Sequence, residues 1–231
     1  MSSQANQAEQ ILEVYYREKG AARNDPLRPE VLFQQLALRV ALLRCFADVP
    51  RNARILDVGG GDGNALLTLL SCGFARDGLH LVDMIEDRVA IARQNLGDAN
   101  MHCENVLDLP YADGSFDVVF SSTMFLQLTD DRLAGEIGQK MRRLAKPGGH
   151  IFIFDWIYDG GREGYKAVNR ARLARIFTLD DELQLVGAEK GALVPPVGRF
   201  LSRHVPWLYF LVQKMPLVTG MLGYRLRKSP F

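Results

Sequence analysis

Apolar residues follow two alternating patterns between residues 54 and 154. Short continuous apolar runs, typical of buried strands, alternate with longer stretches in which apolar residues recur at helical spacing. The short runs predict strands at 54–58, 79–83, 101–105, 116–121 and 150–154. The longer stretches predict helices at 64–72, 86–95 and 132–145. This alternation indicates an α/β fold, with a mostly parallel central sheet and helices on both faces.

The residues on either side of this core follow different patterns. An N-terminal helix is predicted at 7–19, and an apolar, well-buried helix at 31–46. Two prolines in the linking segment 23–30 disfavour one continuous helix. The stretch 193–228 contains two proline-marked apolar segments, which predict one or two helices and a final strand at 224–227.

The composition is that of a soluble globular protein of one domain. The chain has 231 residues, of which 48% are hydrophobic and 24% charged, with a formal net charge of +1. This charge provides no general attraction to nucleic acid. The three cysteines form no CxxC pair, and the N-terminal stretch MSSQANQAEQ is polar. Reduced thiols, no secretory signal and a cytoplasmic location are therefore expected.

The stretch DVGGGDG, residues 57–63, connects a predicted strand to a predicted helix. Glycines allow positive φ and close approach of a ligand, and the first N–H groups of a helix lack partners within it. Asp83 ends the next strand, where a carboxylate can accept two hydrogen bonds from a ribose diol. A nucleoside-containing cofactor is therefore predicted, although glycine turns also occur without ligands. The GxGxG spacing of Gly59, Gly61 and Gly63 disfavours a nicotinamide-dependent oxidoreductase.

The motifs ILDVGGGDG, LVDM, NVLDLPYADGSFDVVFSS and LAKPGGHIFIFDW follow one another along the chain. They resemble, over about residues 50–156, the successive motifs of class I S-adenosylmethionine-dependent methyltransferases of the type 11-like group. The resemblance implies a Rossmann-like fold, S-adenosyl-L-methionine as cofactor and S-adenosyl-L-homocysteine as product. RNDPLR, STMFLQLTDD and PPVGRFLS further resemble members encoded among glycosyltransferases in bacterial surface-polysaccharide gene clusters.

The resemblance also implies a division of the chain. A single methyltransferase domain over 1–231 would comprise an N-terminal helical cap or lid at 1–50, a cofactor-binding core at 51–156 and an apolar, helical substrate-side part at 157–231. The expected acceptor is a glycan or nucleotide sugar. Two alternatives remain: a quinone-like ring or other small metabolite as acceptor, and a non-catalytic cofactor-binding subunit.

The resemblance implies cofactor-binding roles for residues at the strand ends and in the lid: Arg23, Asp57, Gly59, Gly61, Gly63, Asn64, Asp83, Met84, Asn105, Val106, Ser121 and Ser122. The glycine turn with Asp57 would face the methionine part of the cofactor. Asp83 would bind the ribose and Met84 would lie beside the adenine.

Asn105 stands where an acidic residue is common in the family, and its amide oxygen can still accept a hydrogen bond from the adenine amino group. Val106 would offer its backbone, and Ser121 and Ser122 would lie near the sulfonium. Arg23 would pair with the cofactor carboxylate, or would belong to a solvated turn.

Methyl transfer requires alignment of donor and acceptor, and a hydroxyl acceptor must also lose its proton. Asp155 ends the last apolar strand and is the first candidate base, with capping or pairing with an arginine as its structural alternative. His204 is the second candidate, with surface packing as its alternative. Leu126 and Gln127 occupy positions where many members have paired histidines. No metal-ligand spacing is present, so no metal is expected.

The apolar stretch 205–223 contains a single charged residue, Lys214. Lys214 and Pro216 near its middle disfavour a membrane span. We expect it to pack on the core, to form a substrate lid or a dimer contact, or to make a peripheral contact at the inner membrane.

Overall fold

The protein is described by a computed structural model that covers residue 25 and residues 27–98, 100–159, 161 and 163–230. The predicted helix at 7–19 and Arg23 of the predicted lid lie outside the described residues.

One seven-stranded sheet forms the centre of the molecule. Its strands are β1 Ile55–Val58, β2 Leu79–Asp83, β3 Met101–Cys103, β4 Phe116–Ser122, β5 Ala145–Trp156, β6 Leu183–Lys190 and β7 Met221–Lys228. The spatial order is β3-β2-β1-β4-β5-β7-β6. The first five strands in this order pair in parallel, whereas β7 is antiparallel to both β5 and β6. Chain order reverses between β1 and β4, and a crevice at the carboxyl ends of such strands is a common ligand site.

Within the described ranges, seven α-helices accompany the sheet: α1 Pro29–Cys45, α2 Asn64–Ser71, α3 Glu86–Leu96, α4 Asp131–Leu144, α5 Arg170–Phe177, α6 Pro195–His204 and α7 Tyr209–Val212. Buried side chains of α1, α2 and α3 pack on one face, and those of α4 and α5 pack on the other. The predicted Rossmann-like arrangement, with helices on both faces, is confirmed. A third apolar cluster joins α1 to the segment between β6 and β7.

The C-terminal third contains two elements that the sequence pattern did not predict. Helix α5 is short and rich in arginine, so its apolar face is brief. Strand β6 lies at the sheet edge and is mostly half-exposed, so its apolar signal is weak. The final strand is also longer than the predicted 224–227.

The predicted helix at 132–145 ends at Leu144, and the following strand begins five residues before the predicted residue 150. The KPGG stretch is therefore part of β5, where the pairing with β4 shifts register. On α4, Arg132 Nη1 lies 3.5 Å from Glu136 Oε1 and forms an i, i+4 ion pair. In the described part of the chain, no helix combines the length and apolar character needed to cross a bilayer.

Candidate active site

A cavity of about 170 Å³ opens at the carboxyl edge of the sheet, beside the point where chain order reverses. Its walls come from strand ends, from the loops that follow them and from the helices α3 and α4. Members of this wall include Val58, Gly59, Val82, Asp83, Met84, Ile85, Arg88, Asn105, Val106, Ser122, Met124, Gln127, Leu128, Leu133 and Ile137. Four segments of the chain, at 58–59, 82–88, 104–106 and 122–137, thus contribute to one site.

The glycine turn has the backbone that its sequence predicts. Gly59, Gly61 and Gly63 have φ of 69°, 55° and 78°, values that other residues adopt only with strain. Space is also short, because a Cβ at Gly59 would lie 2.8 Å from Met124 Sδ. The guanidinium of Arg88 crosses the turn, and a Cβ at Gly61 would lie 1.9 Å from Arg88 Nη2. The positive φ values therefore favour glycine at these positions, and a Cβ at Gly59 or Gly61 would also displace the side chain of Met124 or Arg88.

Asp83 connects the end of β2 to the glycine turn. Its Oδ2 accepts a hydrogen bond from Gly61 N at 2.8 Å, and its Oδ1 accepts one from Ile85 N at 3.0 Å. Each carboxylate oxygen keeps a further acceptor position, and the residue lines the cavity. Asp83 can therefore hold the turn and also accept hydrogen bonds from a ligand diol.

Asp57 lies within β1 below the glycine turn and is 1% exposed. Among the described residues, none donates a hydrogen bond to either of its carboxylate oxygens, or to the buried hydroxyl oxygen of Ser121. Burial, followed by the negative charge of Asp83, raises the pKa of Asp57 well above its usual range. A buried carboxyl without partners is unfavourable as an anion, and a nearby ligand cation would stabilise its charged form. These groups fit a cofactor that carries an amino group and hydroxyls.

Four other predicted cofactor residues also line the cavity: Met84, Asn105, Val106 and Ser122. Asn105 Oδ1 accepts a hydrogen bond from Leu107 N at 3.0 Å and keeps its second acceptor position. Asn64 is exposed, and its amide donates to Asp62 at 2.8 Å. Asn64 does not line the cavity, and its role in cofactor binding stays a prediction.

The sequence analysis assigned no cofactor or substrate role to several residues that line the cavity: Met124, Leu128, Leu133, Ile137 and Arg88. A usable signal was the position of Met124 and Leu128 directly after a predicted strand, where α/β enzymes place ligand-binding loops. The spacing of Leu133 and Ile137 also puts them on one helix face. No local pattern assigns Arg88 to the turn, because its approach depends on the packing of α3.

Asp155 lies near the end of β5, as predicted, and is 1% exposed. Its Oδ2 accepts a hydrogen bond from Leu126 N at 3.0 Å, and its Oδ1 accepts one from Trp156 N at 2.9 Å. Burial raises the pKa of this carboxyl to about 7. These contacts hold the 3-10 turn Phe125–Gln127 after β4. They give Asp155 a structural role, which is the alternative to its predicted role in catalysis. Its role as a base stays a prediction.

His204 occupies the exposed last turn of α6, where its ring centroid lies 5.1 Å from that of Phe200. It does not line the cavity, and no contact supports its predicted catalytic role. Within the described ranges, no group of three His, Cys, Asp or Glu side chains is arranged to hold a metal ion.

Residues 55–149 match the family model described as a methyltransferase domain. Residues 55–149 therefore carry a methyltransferase domain, and the chain around them has the fold of class I S-adenosylmethionine-dependent methyltransferases. Malonyl-[acyl-carrier protein] O-methyltransferase of Geobacter sulfurreducens is 35% identical to it over 143 residues, which are 61% of this chain and 52% of that protein. The chain thus spans about half the length of the curated relatives it matches.

Two solved structures share the fold of this methyltransferase domain over nearly its whole chain. The 1,6-didemethyltoxoflavin-N1-methyltransferase of Burkholderia thailandensis has 18% identity and a TM-score of 0.67, and the match covers 97% of this chain and 88% of that one. N-methyltransferase NodS of Bradyrhizobium japonicum WM9 has 18% identity and a TM-score of 0.67, with 96% and 98% covered. Both were crystallised with S-adenosylhomocysteine.

Proposed function

We propose that this protein is an S-adenosylmethionine-dependent O-methyltransferase whose acceptor is a sugar hydroxyl of a bacterial polysaccharide, lipopolysaccharide or precursor. The glycine turn, held by Asp83 above the buried and unpartnered carboxyl of Asp57, carries the methyl-transfer part of this proposal. The methyltransferase domain match and the cofactor product in both structural neighbours support it.

The residues present fit S-adenosylmethionine in three respects. Asp83 would accept hydrogen bonds from the ribose hydroxyls, because its oxygens retain free acceptor positions. Asp57 would provide a negative charge near the methionine ammonium group, which would explain a buried carboxyl without a protein partner. Met84 and Val106 would provide apolar contacts to the adenine, and Asn105 a hydrogen-bond acceptor.

The bound cofactor would supply a methyl group already activated by a positively charged sulfur. The chain itself has to orient the acceptor and exclude water, and the apolar side chains of Met124, Leu133 and Ile137 suit the second task. The acceptor hydroxyl loses its proton as its oxygen–methyl bond forms. Asp155 does not itself line the cavity, but it lies at the same carboxyl edge of the sheet, and we propose it as the proton acceptor because a pKa of about 7 suits a general base near neutral pH.

Separate observations support oxygen as the methylated atom and a sugar as the acceptor. The relative from Geobacter sulfurreducens is named an O-methyltransferase. The motifs at residues 23–28, 122–131 and 195–202 resemble those of methyltransferases from polysaccharide gene clusters. Trp156 follows Asp155 directly and lies 6.5 Å from Tyr158, measured between ring centroids. An aromatic pair beside the proposed base offers a face on which a sugar ring can stack.

A quinone-like ring or another apolar metabolite is the second candidate acceptor. The observation that favours it is the apolar cavity wall formed by Met124, Leu128, Leu133 and Ile137. The apolar face of such a ring would bury its surface against these side chains.

Methyl-labelled cofactor, incubated with the pure protein and fractionated bacterial extract, tests these assignments. The fractions should contain nucleotide sugars, lipid-linked glycans, polysaccharide and quinones, and the Asp83→Ala variant is the negative control. Label in a glycan fraction is expected. Label in the quinone fraction alone would move the function to the second candidate. Cofactor binding by calorimetry with no label in any fraction would favour the non-catalytic alternative.

A further inference from the structure

Large apolar side chains are concentrated on one exposed stretch near the C-terminus. Ten large hydrophobic residues of the described chain are exposed, and five of them lie within residues 200–217: Phe200, Trp207, Leu211, Met215 and Leu217. Trp207 is 76% exposed and Leu217 is 91% exposed. We call this stretch the 200–217 surface. Concentrated exposure of this kind marks a contact surface more often than isolated apolar residues do.

The topology places this surface at the same edge of the sheet as the active site. Strand β6 runs parallel to β5 and ends at Lys190, and β7 returns from Met221, which pairs with Trp156. The whole connection 191–220 therefore lies at the carboxyl edge. A Cβ at Gly220 would lie 2.8 Å from Trp156 Cζ3, so the connection also contacts the residue beside the proposed base.

The charged side chains of the connection 191–220 itself have a single sign. Residues 191–220 include Arg199, Arg203 and Lys214 but no Asp or Glu. Arg203 makes an ion pair with Glu30 of α1, which also pairs with Arg28. Apolar side chains with a basic border favour the interface of a bilayer that contains anionic lipids.

A second copy of the chain is a poorer occupant of this surface. A two-fold dimer would place the surface against itself, so the basic residues Arg199 and Lys214 of both copies would lie in one contact. Like charges opposed across a contact are unfavourable, particularly when no carboxylate of the same segment compensates them.

We propose that the 200–217 surface binds the anionic face of a lipid bilayer. Trp207, Leu211 and Leu217 enter the headgroup region, while Arg199 and Lys214 contact lipid phosphates. Because the surface shares an edge with the active site, binding brings the site close to the membrane. An acceptor carried on a lipid would then be within reach.

Sedimentation of the full-length protein with vesicles tests this proposal without any use of methyl transfer. Vesicles of phosphatidylcholine with phosphatidylglycerol are expected to bind the protein, and vesicles of phosphatidylcholine alone to bind it much less. The double variant Trp207→Gln/Leu217→Gln should lower the partition coefficient more than tenfold. Ile91→Gln, which changes an exposed apolar residue of α3, is the matched control and should leave binding unchanged.

Two further measurements separate the contributions of charge and insertion. Arg199→Gln/Lys214→Gln keeps the apolar residues and should lower binding to anionic vesicles at least about fivefold. In a Trp156→Phe background, Trp207 is the only tryptophan, and its emission should shift to the blue on vesicles.

Equal binding by wild type and the Trp207→Gln/Leu217→Gln variant would overturn the proposal. A dimer seen by light scattering that this variant abolishes would also overturn it, by assigning the surface to a second copy.

Discussion

Asp155 and Arg172 hold the same 3-10 turn by opposite kinds of hydrogen bond. Asp155 Oδ2 accepts from Leu126 N at 3.0 Å, and Arg172 Nη1 donates to Phe125 O at 3.1 Å. Both side chains are buried. Arg172 also donates to the carbonyl of Leu128, a residue of the cavity wall. The carboxyl group of Asp155 from β5 and the guanidinium group of Arg172 from α5 therefore position the loop that forms one side of the active site.

The Asp155→Asn variant distinguishes proton transfer from positioning. If Asp155 accepts the proton, wild-type kcat rises with pH through about 7, because only the carboxylate can act as base. The variant should lose this inflection and about a hundredfold in kcat while it keeps its affinity for cofactor. Measurement of kcat against pH, with cofactor binding by calorimetry, checks this. Persistence of the inflection in Asp155→Asn would restrict Asp155 to holding the turn.

Arg172→Met is the matched variant, because it removes the other support of the turn and leaves the acid in place. The substitution leaves the carbonyls of Phe125 and Leu128 without this donor, while Asp131 keeps its ion pair with Lys166, and it should lower the free energy of unfolding by about 3 kcal/mol. Denaturant unfolding measures this. We expect the pH inflection to remain and KM for the acceptor to rise, since the cavity wall is displaced.

Asp83→Ala should weaken cofactor binding more than tenfold. The change removes the proposed acceptors for the ribose and the two hydrogen bonds that hold Gly61 and Ile85. Asp87→Ala removes an equal charge from the exposed first turn of α3 and is the control, with affinity close to that of wild type. Calorimetric titration measures both. Equal weakening in the two variants would indicate a general charge effect and would remove Asp83 from the ribose site.

Cofactor binding should become tighter as the pH rises. The pKa of Asp57 is raised by burial, and the approach of a ligand ammonium group would favour the carboxylate, so binding should release a proton. Calorimetry in buffers of different ionisation enthalpy measures that release. The Asp57→Asn variant should bind more weakly and release no proton at this site. Proton release unchanged in Asp57→Asn would assign it to another group.

The same residue should affect the stability of the cofactor-free protein. The pKa of Asp57 is higher in the folded than in the unfolded chain, so the folded state binds more protons between these two pKa values. The folded state therefore loses stability as the pH rises from the lower pKa to the higher one. At neutral pH, Asp57→Asn should therefore raise the melting temperature without cofactor. A lower melting temperature would show that the carboxylate has a stabilising partner.

Two glycines of α4 provide a packing test with an internal control. A Cβ at Gly138 would lie 2.5 Å from Ile176 O of α5, whereas a Cβ at Gly135 would have no neighbour within 4 Å. Gly138→Ala should therefore destabilise the fold by roughly 1–3 kcal/mol, and Gly135→Ala should stabilise it by up to about 1 kcal/mol. Thermal unfolding of the two variants measures the difference. Stabilisation in both would mean that α4 and α5 separate easily.

The sequence alone determined the central architecture, because its signals there are local. Continuous apolar runs for β1, β2 and β4 reflect burial on both faces, and the helices between them have a matching period. Strand β6 gave no such signal, since an edge strand is half-exposed and depends on β7 for its hydrogen bonds.

The features of the active site also fall into two groups, those that the sequence predicts and those that only the tertiary structure decides. The positive φ of Gly59, Gly61 and Gly63 and the strand-end position of Asp83 follow from residue type and spacing, so the sequence was sufficient to propose them. Burial of Asp57 without a partner and of Asp155 beside Leu126 was decided by the tertiary structure. A pKa, a cavity wall or a buried arginine such as Arg172 depends on groups brought together from distant segments, and no local pattern records that proximity.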